Sequence, residues 1–259
     1  TMVAPKSPSF LAAKGAILAG PQDGWAAHGS IVLPAALVAP YDGAMDPGCR
    51  PLPVLFADDR FVVVDKPPGL LVHRSRVAAD RVTLLQRLRD QIGRFVYPAH
   101  RLDRPASGAI AFALSGEYAR VLQAALSAED ARKEYLVLCR GETEPKFVSD
   151  RPLTSDRGVA QEARTSFERV AVVRGFSLLR ARLATGRRHQ IRRHLAHLGH
   201  QVAGDTKYGK GGINRWLRAE FGLERLFLHA ARLRCAFFEV EAPLAPDLAT
   251  FLERFAEPS

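Results

Sequence analysis

A carboxylate set between two arginines is the first arrangement in this chain that could do chemistry. It lies in His100-Arg-Leu-Asp103-Arg-Pro-Ala-Ser-Gly108, where a Pro-containing turn leads into an apolar run. An aspartate at a loop tip, positioned by a strand, can serve as a nucleophile or a base. In a closed site it needs a cation that keeps it ionised. On spacing alone the residues also suit a structural Asp–Arg pair in a turn. Both readings of Asp103 stand at this point.

The supply of cations is concentrated in Thr185-Gly-Arg-Arg-His-Gln-Ile-Arg-Arg-His194. Helical spacing puts Arg188 with Arg192, and His189 with Arg193, on shared faces. Four histidines at 189, 194, 197 and 200 invite a metal reading. They do not form His-Glu-x-x-His, no carboxylate lies among them, and the arginines would repel a cation. No metal is expected. Lys133-Glu-Tyr135 places an aromatic hydroxyl on a strand, a position more often filled by a core tyrosine with a satisfied hydroxyl.

Elements must hold these groups. Val54-Leu-Phe56, a turn at 57–60 and Phe61-Val-Val-Val-Asp65 predict a β-hairpin closed by Lys66-Pro-Pro-Gly69. Apolar positions at 84, 85, 88 and 92 predict a helix over 82–92. A buried strand follows over 109–114, then a helix over 117–128 with Val121, Leu122 and Leu126 inward. Further strands fall at 134–140, 163–173, 177–184 and 226–233, with Arg174-Gly175 as the turn between the second and third. Helices fall at 187–198, with Ile191, Leu195 and Leu198 inward, and near 248–255. The class is α+β, with a mixed, largely antiparallel sheet flanked by helices and loops. Residues 1–50 are rich in Ala, Pro and Gly and read as an extension with one short strand at Ile31-Val-Leu33; residues 51–259 form the functional domain.

The 259 residues are 47% hydrophobic and 25% charged, which excludes a disordered or fibrous chain. A formal charge of +10 favours a polyanionic partner. From Arg169 to Gly204 eight arginines (169, 174, 180, 182, 187, 188, 192, 193) occur without one acid in 36 residues. Solvated helices usually mix both signs, so the run reads as a nucleic-acid surface. No 18-residue apolar window exists, and Lys14 interrupts the weakly apolar stretch 10–20. Neither a membrane span nor a signal peptide is expected. Cys49, Cys139 and Cys235 are odd in number and widely spaced, which suits the reducing cytoplasm.

Taken in order, His100–Gly108, Lys133-Glu-Tyr135, Thr185–His194 and Leu226-Phe-Leu-His-Ala230 resemble the RluA family of pseudouridine synthases. Asp65-Lys-Pro-Pro-Gly-Leu-Leu-Val-His73 and Gly204-Asp-Thr-Lys-Tyr-Gly209 match as well, so the resemblance runs over about 53–256. Arg104-Pro105, with Val72-His-Arg-Ser75 and Asp90-Gln-Ile-Gly93, is most similar to the TruC type, which are tRNA pseudouridine(65) synthases. Ala106 stands where the family usually has threonine, and residues 1–50 have no counterpart in short TruC-like chains.

The resemblance implies the pseudouridine synthase fold, with a cleft across the sheet, and isomerisation of a uridine in RNA without any cofactor. It implies Asp103 as nucleophile, Arg192 as its paired cation, and Tyr135 stacked on the uracil and helping remove the carbon-5 proton. Leu228 would wall off the base, and Arg101 would enter the RNA helix in place of the flipped nucleotide. Arg187, Arg188, Arg193 and His189 would hold the RNA backbone. The expected substrate is tRNA, in its T-stem, acted on by a monomer; 23S rRNA is the alternative within the family. A non-catalytic basic RNA-binding module is the alternative from another class, since it would keep the arginines without needing Asp103, Tyr135 and Arg192 together.

Overall fold

The computed structural model describes residues 51–73 and 82–257. The expected extension with its strand at 31–33, Cys49 and the Arg74-Ser75 part of one motif lie outside the described residues.

β-Branched and aromatic runs make the first strands. β1 (Val54–Ala57) and β2 (Phe61–Lys66) form the expected antiparallel hairpin. Asp58 closes it, its carboxylate accepting the N–H groups of Arg60 at 2.8 Å and Phe61 at 2.6 Å, as an Asx turn does. Helix α1 (Leu84–Ile92) starts at Thr83, which forms a capping box with Gln86, and stops at Gly93 in the left-handed region. Strand β3 (Tyr97–Pro98) is followed by β4 (Ser107–Ala113), buried at all seven positions. Helix α2 (Gly116–Ser127) is capped by Ser115 and buries Ala119, Leu122 and Leu126. Val121, expected inward, is 42% exposed. The buried stripe runs 119, 122, 126, and position 121 lies about 100° away from it.

Then come β5 (Arg132–Arg140), β6 (Lys146–Ser149), β7 (Leu153–Thr154), β8 (Ala160–Gln161), β9 (Thr165–Val173) and β10 (Phe176–Leu183). Arg174 and Gly175, at φ 49° and 73°, join β9 to β10 through a two-residue turn with both residues left-handed, which matches strand twist. The Arg174 guanidinium donates to Phe255 O at 2.9 Å and Glu257 O at 2.6 Å, which offsets the strain of a non-glycine there. Helix α3 (Gln190–His197) starts three residues later than expected, and Leu198, expected inward, lies past its end and is 47% exposed. Helix α4 (Gly211–Phe221), β11 (Leu228–Cys235), β12 (Phe238–Glu241) and α5 (Pro246–Ala256) complete the described chain.

Ten strands share one sheet in the order β1-β2-β4-β11-β5-β10-β9-β6, with β12 on β11 and β3 on β4, while β7 and β8 pair apart. The pairings β1·β2, β2·β4, β3·β4, β5·β10, β9·β10, β6·β9 and β11·β12 are antiparallel, so the α+β class with a largely antiparallel sheet holds.

Two compact units divide the described residues: 51–133 with 230–242, and 134–229 with 243–257. The core of the first packs Phe61, Val63, Ala109 and Ala111 against Leu122 and Leu126 of α2 and Phe238 and Val240 of β12. The core of the second packs Leu138, Leu178 and Phe227 against Leu248, Phe251 and Phe255 of α5. Each fully buried Leu, Val or Phe contributes about 1.5–3 kcal/mol.

Candidate active site

In the first unit, the Asp103 loop is fastened on both sides. His100 precedes it, and the ring Nε2 accepts the Ala111 N–H of β4 at 3.0 Å, so that nitrogen carries no proton. Burial first and the Lys133 charge second push the His100 pKa down to about 4, which keeps the ring neutral. Arg101 is exposed and Leu102 is buried at 7%, while Asp103 is half-buried. The Ala106 N–H returns to Asp103 O at 3.1 Å and closes the turn.

Beneath it lies Lys66, a fully buried lysine at the end of β2. Its ammonium donates to Pro67 O at 2.8 Å, Arg104 O at 3.2 Å and Ala106 O at 2.8 Å. Three carbonyls satisfy three protons, the condition under which a charge can be buried. Gly69 N–H to Arg104 O (2.9 Å) and Arg104 Nε to Gly69 O (3.0 Å) stitch the same two segments again. Gly108, at φ 109°, comes so close to β11 that a Cβ would sit 2.3 Å from Ala230 O. Only glycine fits there.

In the second unit, Tyr135 of β5 is 7% exposed and lies opposite Ala181 of β10. Leu228 opens β11 at 5% exposure. Between β10 and α3 the organiser is Gln190, a residue the motif reading gave no role. Its side-chain oxygen accepts from Thr185 Oγ1 at 2.7 Å and Arg187 N at 3.0 Å. Its amide donates to Arg164 O and Thr165 Oγ1, both at 3.0 Å. This holds His189 at the helix start with φ 53°, left-handed for a non-glycine.

The expected sharing of helix faces therefore fails. Arg188 and His189 precede α3, so neither stacks one turn above Arg192 or Arg193. Arg188 is exposed and pairs with Asp156; Arg187 donates to Glu162 O at 2.9 Å and Arg193 to Thr154 O at 2.9 Å. Arg192 points inward, 5% exposed, and grips Asp205 with Nε to Oδ2 and Nη2 to Oδ1, both 2.8 Å. Tyr208 lies under that guanidinium, 5.2 Å from ring centroid to Cζ, and its hydroxyl is 3.0 Å from His189 Nδ1. Burial would raise the Asp205 carboxyl, but Arg192 and the N–H groups of Tyr208 and Lys207 outweigh it and hold it below the usual carboxylate value.

The arginine run is acid-free in sequence but not in space. Arg180 and Arg182 meet Glu134, Arg180 also meets Glu168, Arg169 meets Glu142, and Arg174 is tied to carbonyls past α5. Of the candidates, Arg187, Arg188 and His189 stand together with Arg193 at the start of α3, while Arg192 turns away to Asp205. Lys66, His100, Asp205 and Tyr208 had a signal in the sequence, since each falls inside a motif; nothing there gave their roles. Among the described residues no helix is long and apolar enough to cross a membrane.

Residues 60–197 match the family model described as RNA pseudouridylate synthase. A curated relative from Vibrio parahaemolyticus, "tRNA pseudouridine synthase C", is 39% identical over 206 residues, covering 71% of this chain and 84% of that protein. One of the same name from Haemophilus ducreyi is 40% identical over 204 residues, with 70% and 84% covered. Among solved structures, human RNA Pseudouridylate Synthase Domain Containing 4 shares the fold at TM-score 0.65 and 22% identity, over 78% of this chain and 92% of that one. A match across more than half of the sequence, two relatives near 40% identity and a shared fold lead to one conclusion: this chain belongs to the RNA pseudouridylate synthase family.

Proposed function

We propose that this chain isomerises a uridine in the T-stem of tRNA to pseudouridine, with residues 51–259 as the catalytic domain of a monomer acting in the cytoplasm. The observation that carries the tRNA reading is the identity of 39% and 40% to two proteins named tRNA pseudouridine synthase C, each covered over 84% of its length. The bond from sugar carbon 1′ to N1 breaks, the uracil turns, and carbon 1′ bonds to carbon 5. Carbon 5 gives up a proton and N1 takes one, so nothing is oxidised and no energy source is used.

Asp103 is the nucleophile in this reading. Its support is the turn braced by buried Lys66, which presents one carboxylate in a fixed place. Arg192 is the cation of the site in this reading, and its support is the bidentate grip that fixes its own plane. Tyr135 stacks on the uracil and assists removal of the carbon-5 proton, and Leu228 walls the base. Arg101, exposed beside Asp103, fills the helix vacated by the flipped nucleotide and offsets a few kcal/mol of unstacking. Arg187, Arg188, Arg193 and His189 hold phosphates. The partner of Arg188 is the exposed Asp156, and an exposed pair is worth about 0–1 kcal/mol, so a phosphate can replace it at small cost.

Unmodified tRNA and 23S rRNA transcripts, incubated with the protein, treated with carbodiimide and read by primer extension, test the proposal. The expected result is one stop in the T-stem of tRNA. With Asp103→Asn the rate falls at least about 10³-fold while tRNA binding persists. A stop in rRNA alone overturns the tRNA substrate. Binding without a stop in either RNA overturns catalysis in favour of an RNA-binding module.

A further inference from the structure

We propose that Asp205 is a positioning residue that sets the plane and rotation of the Arg192 guanidinium; this rests on the reading of Arg192 as the cation of the site. The two 2.8 Å bonds engage Nε and Nη2 along one edge, so a rigid planar fork is aligned with a rigid carboxylate. Rotation of the guanidinium about its long axis breaks one bond or both. Its Nη1 group then has one direction only.

The carboxylate is itself held from several sides. Asp205 Oδ1 also accepts the N–H groups of Lys207 at 2.8 Å and Tyr208 at 3.0 Å. The turn that carries it is locked by Asn214 of α4, whose Oδ1 accepts Gly204 N–H at 3.1 Å and whose Nδ2 donates to Asp205 O at 2.9 Å. Two glycines let it close so tightly: a Cβ at 204 would meet Arg225 O at 2.0 Å, and one at 209 would meet Asp205 O at 2.2 Å. The Tyr208 ring covers the guanidinium face at 5.2 Å.

A fold does not need this arrangement for stability. The pair has side chains 6% and 0% exposed, and a buried ion pair exchanged for packed apolar groups of equal volume is often neutral or stabilising. A buried charge clamped by a dedicated turn, two glycines and a distant asparagine is what orienting a working cation requires.

The test is a double-mutant cycle read by single-turnover pseudouridine formation, tRNA affinity and thermal melting. Asp205→Asn keeps the shape but turns an amide donor toward Arg192. Its rate is expected to fall about 10²-fold, the cost of misplacing a group by about 1 Å, with tRNA affinity within about threefold. Arg192→Lys keeps the charge and loses the fork. Adding Asp205→Asn to it is expected to cost less than about threefold more, because the two act through one group. Losses that add in full, a loss confined to affinity, or an unchanged rate overturn the proposal. Wild-type turnover by Arg192→Lys overturns the reading of Arg192 and this inference with it. If Asp205→Asn does not fold, Asn214→Ala takes its place in the cycle: it frees the turn while leaving both charges. A loss of about tenfold with the same non-additivity is expected, and an additive loss overturns the proposal.

Discussion

His100 shows how much a single buried side chain can bind a molecule to its working pH. Its ring must stay neutral to accept the Ala111 N–H, and burial with the Lys133 charge lowers its pKa from 6.5 to about 4. Above pH 6.5 the folded and unfolded rings are both neutral and the contribution is whole. As pH falls, the unfolded ring takes a proton that the folded ring refuses, so stability is lost progressively down to about pH 4. Between pH 7 and pH 5 this one group removes about 2 kcal/mol, measurable as a lower urea midpoint. His100→Asn should flatten that part of the pH dependence while lowering stability at pH 7. At this scale the sequence marked candidates without showing what each one touches. Asp103 was conspicuous as a candidate, a carboxylate between arginines, though spacing alone left a structural pair in a turn equally open. Lys66 was not, since a lysine before two prolines looks like a surface turn until three carbonyls are seen to enclose it.

Among the elements, the approach of β4 to β11 is the tightest constraint on what positions Asp103. Gly108→Ala forces a Cβ to within 2.3 Å of Ala230 O at φ 109° and should destabilise by about 2–4 kcal/mol, read as a lower urea midpoint at unchanged m. Gly158→Ala, at φ 79° with nothing within 4 Å, is the control and should cost about 1 kcal/mol of backbone strain alone. Long strands, whether built on an apolar run as β2 and β4 are or mixing apolar with polar residues as β9 and β10 do, could be read within a few residues of their ends. Helix α4 could not: it opens on Gly211-Gly212 and its N-cap Lys210 makes no side-chain cap, so no start signal is present. Strands β7 and β8 have two residues each, too few for any period. The start of α3 was misplaced because Gln190 spends its side chain on the preceding loop and holds His189 left-handed. That network depends on residues 164 and 165, which spacing near 190 cannot reveal.

For the molecule as a whole, the acid-free stretch from Arg169 to Gly204 overstates the cations available to RNA, because distant acids come back to the arginine run: Glu134, Asp156, Glu168 and Asp205 each take an arginine from it. Linear patterning counts charges along the chain and cannot show this return. It follows that salt dependence should respond to individual arginines unequally. Arg188→Ala should reduce the slope of log affinity for tRNA against log salt by about 0.7–0.9, and weaken unrelated RNAs to the same extent. Arg174→Ala should leave the slope unchanged, its guanidinium being committed to Phe255 and Glu257 carbonyls. Fluorescence anisotropy across a salt series separates the two. The division of the chain into 51–133 with 230–242, and 134–229 with 243–257, has a consequence for biosynthesis. Neither unit is encoded without interruption. At about 5–20 residues per second, the strand that Gly108 must meet leaves the ribosome roughly 6–25 seconds after β4 does. For that interval β4, buried on all seven residues in the finished protein, has only the two-residue β3 on the edge that β11 will occupy, and so bare an apolar edge is open to pairing with other nascent chains.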